Sequence, residues 1–189
     1  FNFYLPLEKE TAASYALLPF VLTTCGEKYP DFSVLNYRLE RLYGAQLDAV
    51  AEKLGDYQLL KLRMSVINDK YTFESESLIK RACDMLLSLI FEPKAENSAF
   101  CAEDLAREKR KAIEHVKGEM SEKRVYAKNR LIEEMYKGSC YGTPKCGTVE
   151  DIEAITEASL YEMWQKMLAT AYIRVQVIGA AVPQGLFEE

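Results

Sequence analysis

Two strand-like runs joined by a two-residue turn constrain the fold of this chain more than any other feature. They are Gln46–Leu54 and Tyr57–Ile67, with Gly55-Asp56 between them. In the second run apolar and polar residues alternate, which is the period of a half-buried strand. Its apolar members are Leu60, Leu62, Met64 and Val66. A Gly-Asp pair between two such runs favours a tight turn. The sequence therefore predicts an antiparallel hairpin with one face in the core.

The remaining segments indicate what packs on that hairpin. Phe1–Leu5 and Ile173–Gly179 have the pattern of strands. Helices are predicted over Lys9–Thr24, Asp31–Leu42, Glu74–Phe91, Ser98–Lys117 and Ser121–Tyr136. A short helix to Ala154, opened by Thr148 or Glu150, and a last helix from Thr156 to about Thr170 follow. Pro19 is expected to kink or interrupt the first helix because it lacks an N–H, and Gly118 to separate the fourth from the fifth. This order predicts an α+β fold, a largely antiparallel sheet with helices packed on one face.

Composition limits the class of protein. The 189 residues are 49% hydrophobic, which is enough for one core, and we expect a single domain over residues 1–189. A net charge of −5 argues against a nucleic-acid partner, and no apolar stretch is long enough to span a membrane. The basic run at Arg107–Lys111 is interrupted by Glu108, and we interpret it as a solvated helix face. The chain opens without Met and stops soon after a strand-like segment, so we expect it to be part of a longer protein.

The five cysteines include no C-x-x-C pair. Their positions are Cys25, Cys83, Cys101, Cys140 and Cys146. Cys140 and Cys146 are close enough in sequence to meet, but an odd number of unpaired cysteines favours reduced thiols and a cytoplasmic location.

The chain contains a single histidine, His115. A hydrolytic zinc site usually takes two or three imidazoles and a carboxylate. One histidine with no paired cysteines leaves too few ligands, which argues against a self-contained zinc hydrolase.

An ordered set of short phrases resembles the insulinase/pitrilysin family of inverted-motif zinc peptidases, which includes the mitochondrial processing peptidases. The phrases are Gly26 with Tyr29-Pro30, Leu42-Tyr43-Gly44-Ala45, Phe91-Glu92-Pro93, Arg107-Glu108-Lys109, Leu131-Ile132-Glu133-Glu134-Met135-Tyr136, Gly147-Thr148-Val149-Glu150-Asp151-Ile152 with Ile155-Thr156, and Val177-Ile178-Gly179. Together they cover nearly the whole chain. The resemblance implies one domain of the family fold.

In that family the first helix carries the motif H-x-x-E-H, whose histidines bind zinc and whose glutamate acts as the base. Counting back from Gly26, those positions fall on Leu17–Val21, and no His, Asp or Glu lies between Thr11 and Gly26. The family's third ligand, a glutamate on a later helix, falls on His115. The chain is therefore most similar to degenerate bacterial members that have lost the motif. For this domain we expect no catalytic residue, no metal ligand and no cofactor.

The resemblance also implies partners. Two half-size units of the family enclose a chamber, so a zinc-free unit can support an active sister subunit, or a second homologous half, or bind peptides in the shared chamber. In relatives the strand after the Gly-Ala phrase pairs with the substrate backbone. Here that strand is about Ala45–Glu52, and the residues expected to bind peptide are Ala45, Gln46, Leu47, Asp48, Ala49 and Val50. The alternative is that this segment is simply paired or exposed to solvent.

The sequence is also compatible with two other functions. One is a metallopeptidase with a non-standard metal site that uses His115, and the other is a plain scaffold or interaction domain. A dyad of Cys140 with His115 has no sequence support beyond the presence of both residues. The sequence lacks the glycine motifs that bind nucleotides.

Overall fold

The computed structural model describes residues 1–72 and 77–179. In these residues four antiparallel strands form the main sheet: β1 (Asn2–Pro6), β2 (Gln46–Leu54), β3 (Tyr57–Ser65) and β6 (Tyr172–Arg174). Their order across the sheet is β2-β3-β1-β6. A separate small hairpin is formed by β4 (Ala95–Glu96) and β5 (Ala99–Phe100). The predicted hairpin is confirmed, because β2 pairs with β3 along its whole length, from Gln46 opposite Ser65 to Leu54 opposite Tyr57.

Helices make up most of the rest of the described chain. They are α1 (Lys9–Leu22), α2 (Phe32–Arg41), α3 (Leu78–Phe91), α4 (Ala102–Glu119), α5 (Lys123–Met135), α6 (Val149–Ala154) and α7 (Glu157–Thr170). Side chains of the expected type cap several of them: Asp31 caps α2, and Thr148 and Thr156 form capping boxes at α6 and α7. None of these described helices combines the length and the apolar character that crossing a bilayer requires.

The core lies between one face of the sheet and the helices. Phe3 on β1 and Leu60 and Leu62 on β3 are at most 1% exposed, and they pack in one cluster with residues of α1 and α7. A smaller cluster joins α2 and α3 through Leu35, Met85 and Leu89. The other face of the hairpin carries the ion pairs Asp48–Arg63 and Glu52–Lys61. The α+β class, with an antiparallel sheet and helices on one face, is confirmed.

The structure corrects three details of the predicted elements. Helix α1 continues through Pro19 without interruption, because Pro19 lies close to the end of the helix and its carbonyl still accepts the N–H of Thr23 at 3.1 Å. Helix α4 also continues through Gly118, since glycine weakens a helix by only about 1 kcal/mol. The break that precedes α5 comes at residues 120–122. The closing strand is shorter than predicted and spans Tyr172–Arg174.

Two further boundaries differ from the prediction. The small hairpin of β4 and β5 occupies the segment before α4, which therefore begins at Ala102 rather than Ser98. The predicted start of the third helix at Glu74 lies outside the described residues. The described helix begins at Leu78, after its capping residue Ser77.

Candidate functional site

The hydrogen bonds of Leu62 show which backbone groups of β2 face outward. Leu62 donates its N–H to the carbonyl of Phe1 at 2.9 Å and accepts from the amino terminus of Phe1 at 2.8 Å. In an antiparallel strand the N–H and C=O of one residue point to the same side. Both groups of Leu62 therefore point away from β2. Its partner across the hairpin, Ala49, consequently directs its own N–H and C=O away from β3.

The same alternation extends along β2, which is the edge strand of the sheet. Every second residue of a strand directs its backbone groups to the same side. The residues of β2 with outward backbone groups are therefore Leu47, Ala49, Ala51 and Lys53. Within residues 1–72 and 77–179 no further strand pairs with β2. An edge with free N–H and C=O groups is a template for another extended segment.

The residues predicted to bind peptide occupy different positions on this edge. Leu47 and Ala49 present outward backbone groups, whereas Gln46, Asp48 and Val50 lie at positions that bond to β3. Ala45 precedes the strand, is buried, and donates its N–H to the carbonyl of Leu39. Ala51 and Lys53 add two outward positions that the prediction did not name as peptide-binding residues.

A cleft of about 400 Å³ lies beside this edge. Residues on one face of α1 form one wall of the cleft: Ala13, Ala16, Leu17 and Phe20. Residues on one face of α4 form the opposite wall: Glu108, Lys111, Ala112 and His115. Within each set the residues are separated by one, three or four positions, the spacing of side chains on one face of a helix. Ala49, Val50 and Ala51 of β2, the loop residues Lys145 and Cys146, and Ile152 of α6 complete the lining.

Two of the five residues at the positions of the zinc motif line this cleft. Leu17 and Phe20 line it, while Leu18, Pro19 and Val21 are buried in the core. None of these side chains has an atom that can bind zinc. His115 also lines the cleft, and its side chain, which is 61% exposed, lies 3.7 Å from the carboxylate of Glu119. No group of three His, Cys, Asp or Glu side chains in the described parts of the chain is arranged to hold a metal ion. The residues present do not fit a zinc ion.

Glu108 is a buried carboxylate in the wall of the cleft, with its side chain 7% exposed. Its Oε1 accepts from Lys111 at 2.8 Å, from Arg107 at 3.3 Å and from the hydroxyl of Thr24 at 3.4 Å. A charge inside a protein needs such partners to offset its loss of water. The expectation that this stretch of α4 is a solvated face is therefore wrong at Glu108.

The helical period of α4 contained the signal for Glu108, which the sequence interpretation missed. Leu105, Glu108 and Ala112 recur at intervals of three and four and form one stripe. A charged residue in a stripe with apolar neighbours is a candidate for a buried, paired role.

The loop at residues 145–147 is fixed to the sheet and to α1. The amide of the buried Gln58 donates to the carbonyls of Ala12 and Lys145, each at 2.9 Å. Gly147 has a φ of +66°, and a Cβ added there would lie 2.7 Å from the Cβ of Ala13. The close approach of this loop to α1 therefore requires glycine and places Lys145 and Cys146 in the cleft.

Burial raises the pKa of three of the thiols, those of Cys25, Cys83 and Cys146. All five cysteines are free. Burial, with a hydrogen bond to Asp104 at 3.2 Å, raises the pKa of Cys25 to about 12. Burial also raises the pKa of Cys146, which shares the cleft with His115. A raised pKa keeps a thiol protonated, and the protonated form is a poor nucleophile.

Sequence comparison provides one curated relative and no matching family model. The chain is 30% identical over 179 residues to the probable inactive metalloprotease YmfF of Bacillus subtilis strain 168. The aligned region is 95% of this chain and 42% of that protein. The chain thus spans less than half the length of the relative that it matches.

Solved structures share the fold. A conserved protein from Enterococcus faecalis V583 superposes with a TM-score of 0.81 and 30% identity, over 89% of this chain and 40% of that chain. The inactive domain of an M16 peptidase from Pseudomonas fluorescens gives a TM-score of 0.63 at 20% identity, over 90% of this chain and 37% of that chain. At that identity the likeness concerns the fold alone. From the relationship to YmfF and the shared fold, the chain belongs to the insulinase-type peptidase family, among its degenerate members.

Proposed function

We propose that this chain is a noncatalytic, zinc-free peptidase-like domain that binds extended peptides along the outer edge of β2. It forms one wall of a chamber whose other wall is an active zinc peptidase sister subunit or a second homologous half. The names of two similar proteins support the noncatalytic part: one is called a probable inactive metalloprotease and the other an inactive domain of an M16 peptidase.

One observation carries the proposal. The outward backbone groups of Leu47, Ala49 and Ala51 lie beside a cleft in which Leu17 and Phe20 occupy the zinc-motif positions. Backbone pairing at a sheet edge needs no catalytic group, so loss of the motif leaves peptide binding possible. Hydrolysis, by contrast, needs a metal or an activated nucleophile; the described residues include no group of three arranged to hold a metal ion, and burial raises the pKa of Cys146 in the cleft.

We also propose that residues 1–189 fold as one domain. The two buried clusters share Leu47 of β2 and Met64 of β3 as partly buried neighbours, so the packing is continuous between them. A single cooperative transition in urea, seen equally by fluorescence and by circular dichroism, is the expected result.

The zinc-free part is tested by measuring metal content. Protein purified with added zinc is analysed by elemental mass spectrometry, beside His115→Ala. We expect less than about 0.1 zinc per chain for both, because functional zinc sites fill nearly stoichiometrically. About one zinc per chain that His115→Ala removes would overturn this part. Peptidase activity is expected only when a relative with an intact H-x-x-E-H motif is added.

The peptide-binding part is tested at Ala49, whose N–H faces outward. Ala49→Pro removes that donor without removing a hydrogen bond to β3, and proline is tolerated on edge strands. Ala49→Val is the matched control, since it adds similar bulk and keeps the N–H. With fluorescein-labelled peptides of extended conformation, anisotropy should show binding to the parent chain and Ala49→Val, and at least about tenfold weaker binding to Ala49→Pro. Equal binding by all three would contradict the proposal.

A further inference from the structure

The cleft beside β2 has the shape and charge of a specificity pocket. Its lining is mostly apolar, with Leu17, Phe20 and Ile152 among the side chains. Phe20 is 39% exposed, so it lies at the mouth of the cleft. A volume of about 400 Å³ is larger than one apolar side chain needs, and it can hold a leucine or phenylalanine side chain together with a neighbour.

The charged groups of the cleft favour a negative ligand. Lys111 and Lys145 line it against a single acid, Glu108, in a chain whose net charge is −5. The carboxylate of Glu108 is buried and already accepts hydrogen bonds from Lys111 and Arg107. The cleft is therefore locally positive on a negative protein, and a lysine at its edge can attract a carboxylate of a bound chain.

An extended peptide paired with β2 could reach both the apolar lining and the lysines of the cleft. Side chains of an extended peptide alternate between faces, so residues two apart point to the same side. The helices cover the face of β2 that carries Ala49 and Ala51, and this is the face that borders the cleft. A peptide paired with β2 would direct every second side chain toward the cleft.

We infer that the cleft selects extended peptides in which an apolar residue is followed or preceded, two positions away, by an acidic one. The apolar side chain enters between Leu17 and Phe20. The acidic side chain meets Lys145 and Lys111. This inference rests on the proposed function, because it needs the peptide to pair with β2.

Four labelled peptides with a Ser/Thr host sequence test it by anisotropy on the 189-residue chain. One carries Leu and Glu two positions apart, the second Leu and Lys at the same positions, and the third Ser in place of Leu. The fourth has Glu moved by one position, which turns the acid to the opposite face. The Leu/Glu probe should bind about two- to fivefold more tightly than the Leu/Lys and shifted probes. It should bind about tenfold more tightly than the probe without Leu.

Variants of the cleft residues test whether the preferences for Leu and Glu arise in the cleft. Lys145→Gln should remove much of the preference for Glu, whereas Lys166→Gln, an exposed lysine on α7 outside the cleft, should leave it unchanged. Phe20→Ser should weaken binding of the probes that contain Leu and should spare the probe without it. Because Phe20 is partly exposed, this variant is expected to fold, and Ala112→Leu, which fills the cleft, provides an independent second test.

The outcomes separate the inference from the function on which it rests. If all probes bind equally and Ala49→Pro still weakens them, peptide binding at the edge stands and the selectivity is overturned. If no probe binds, or if Ala49→Pro and Ala49→Val behave alike, the proposed function fails and the selectivity fails with it. A Glu preference that Lys145→Gln and Lys166→Gln leave equally intact would also overturn the assignment to the cleft.

Discussion

The carboxylate of Glu108 accepts a hydrogen bond of 2.8 Å from the ammonium group of Lys111, one turn further along α4. The acid is buried while the lysine side chain is 60% exposed, so the pair brings a charge-compensated carboxylate into the wall of the cleft. Thr24, beyond the end of α1, donates to the same oxygen and connects the two walls.

Glu108→Ala should lower the free energy of unfolding by about 1–3 kcal/mol. The variant removes three hydrogen bonds and leaves a small cavity, but Lys111 and Arg107 can regain water because both are partly exposed. Urea denaturation measures the effect. Glu114→Ala, on an exposed position of the same helix, is the control and should change stability by less than about 0.5 kcal/mol. Equal effects would mean that Glu108 is not buried as described.

Gly147→Ala should destabilise the fold more than Gly55→Ala does. Both glycines have positive φ, +66° and +58°. In both variants the alanine would therefore have a similar backbone strain of about 1–2 kcal/mol. Only at Gly147 would the new methyl group lie 2.7 Å from Ala13, and overpacking adds about 1–3 kcal/mol. Thermal and urea denaturation of the two variants measure the difference. The same loss in both would show that the loop does not pack against α1.

Trp164→Phe should cost about 1–3 kcal/mol of unfolding free energy. The indole N–H of Trp164 donates to the carbonyl of Ile90 at 2.9 Å, in a buried contact between α7 and the end of α3. Phenylalanine keeps an aromatic ring beside Tyr161 but leaves that carbonyl without its donor. Tyr172→Phe, at a side chain 68% exposed, is expected to change stability by less than about 0.5 kcal/mol. A neutral Trp164→Phe would contradict the role of the hydrogen bond.

Cys25 should resist alkylation far longer than Cys140. Cys140 is exposed, whereas burial and the hydrogen bond to Asp104 hold the pKa of Cys25 near 12. Iodoacetamide at pH 8, followed by peptide mass spectrometry, should label Cys140 first and Cys25 only in denaturant. Labelling of both at the same rate would rule out this environment.

The raised pKa of Cys25 makes the stability of the fold depend on pH. The folded state favours the neutral thiol of Cys25, so its contribution is complete below the ordinary pKa of 9.0 and is lost as the pH rises from there toward 12. The parent chain should therefore lose more unfolding free energy between pH 9 and pH 11 than Cys25→Ala does. Parallel losses would contradict the raised pKa.

Local sequence signals predicted much of the fold. The alternation in β3 and the Gly55-Asp56 turn predicted the hairpin, and Asp31, Thr148 and Thr156 marked the starts of their helices. These features depend on neighbours within a few residues. The predictions failed where a local cost was small compared with packing, as at Pro19 and Gly118, because buried contacts can hold a helix through one weak position.

The sequence alone determined that Leu17–Val21 cannot supply zinc ligands, because ligand chemistry is a property of the side chain itself. Only the tertiary structure decided which backbone groups of β2 face outward, because that depends on how Leu62 bonds to Phe1, residues far apart in the chain. It also decided that Glu108 is buried and that α1, α4 and β2 enclose one cleft. Burial and proximity arise from contacts between distant segments, and a pattern of neighbouring residues does not contain them.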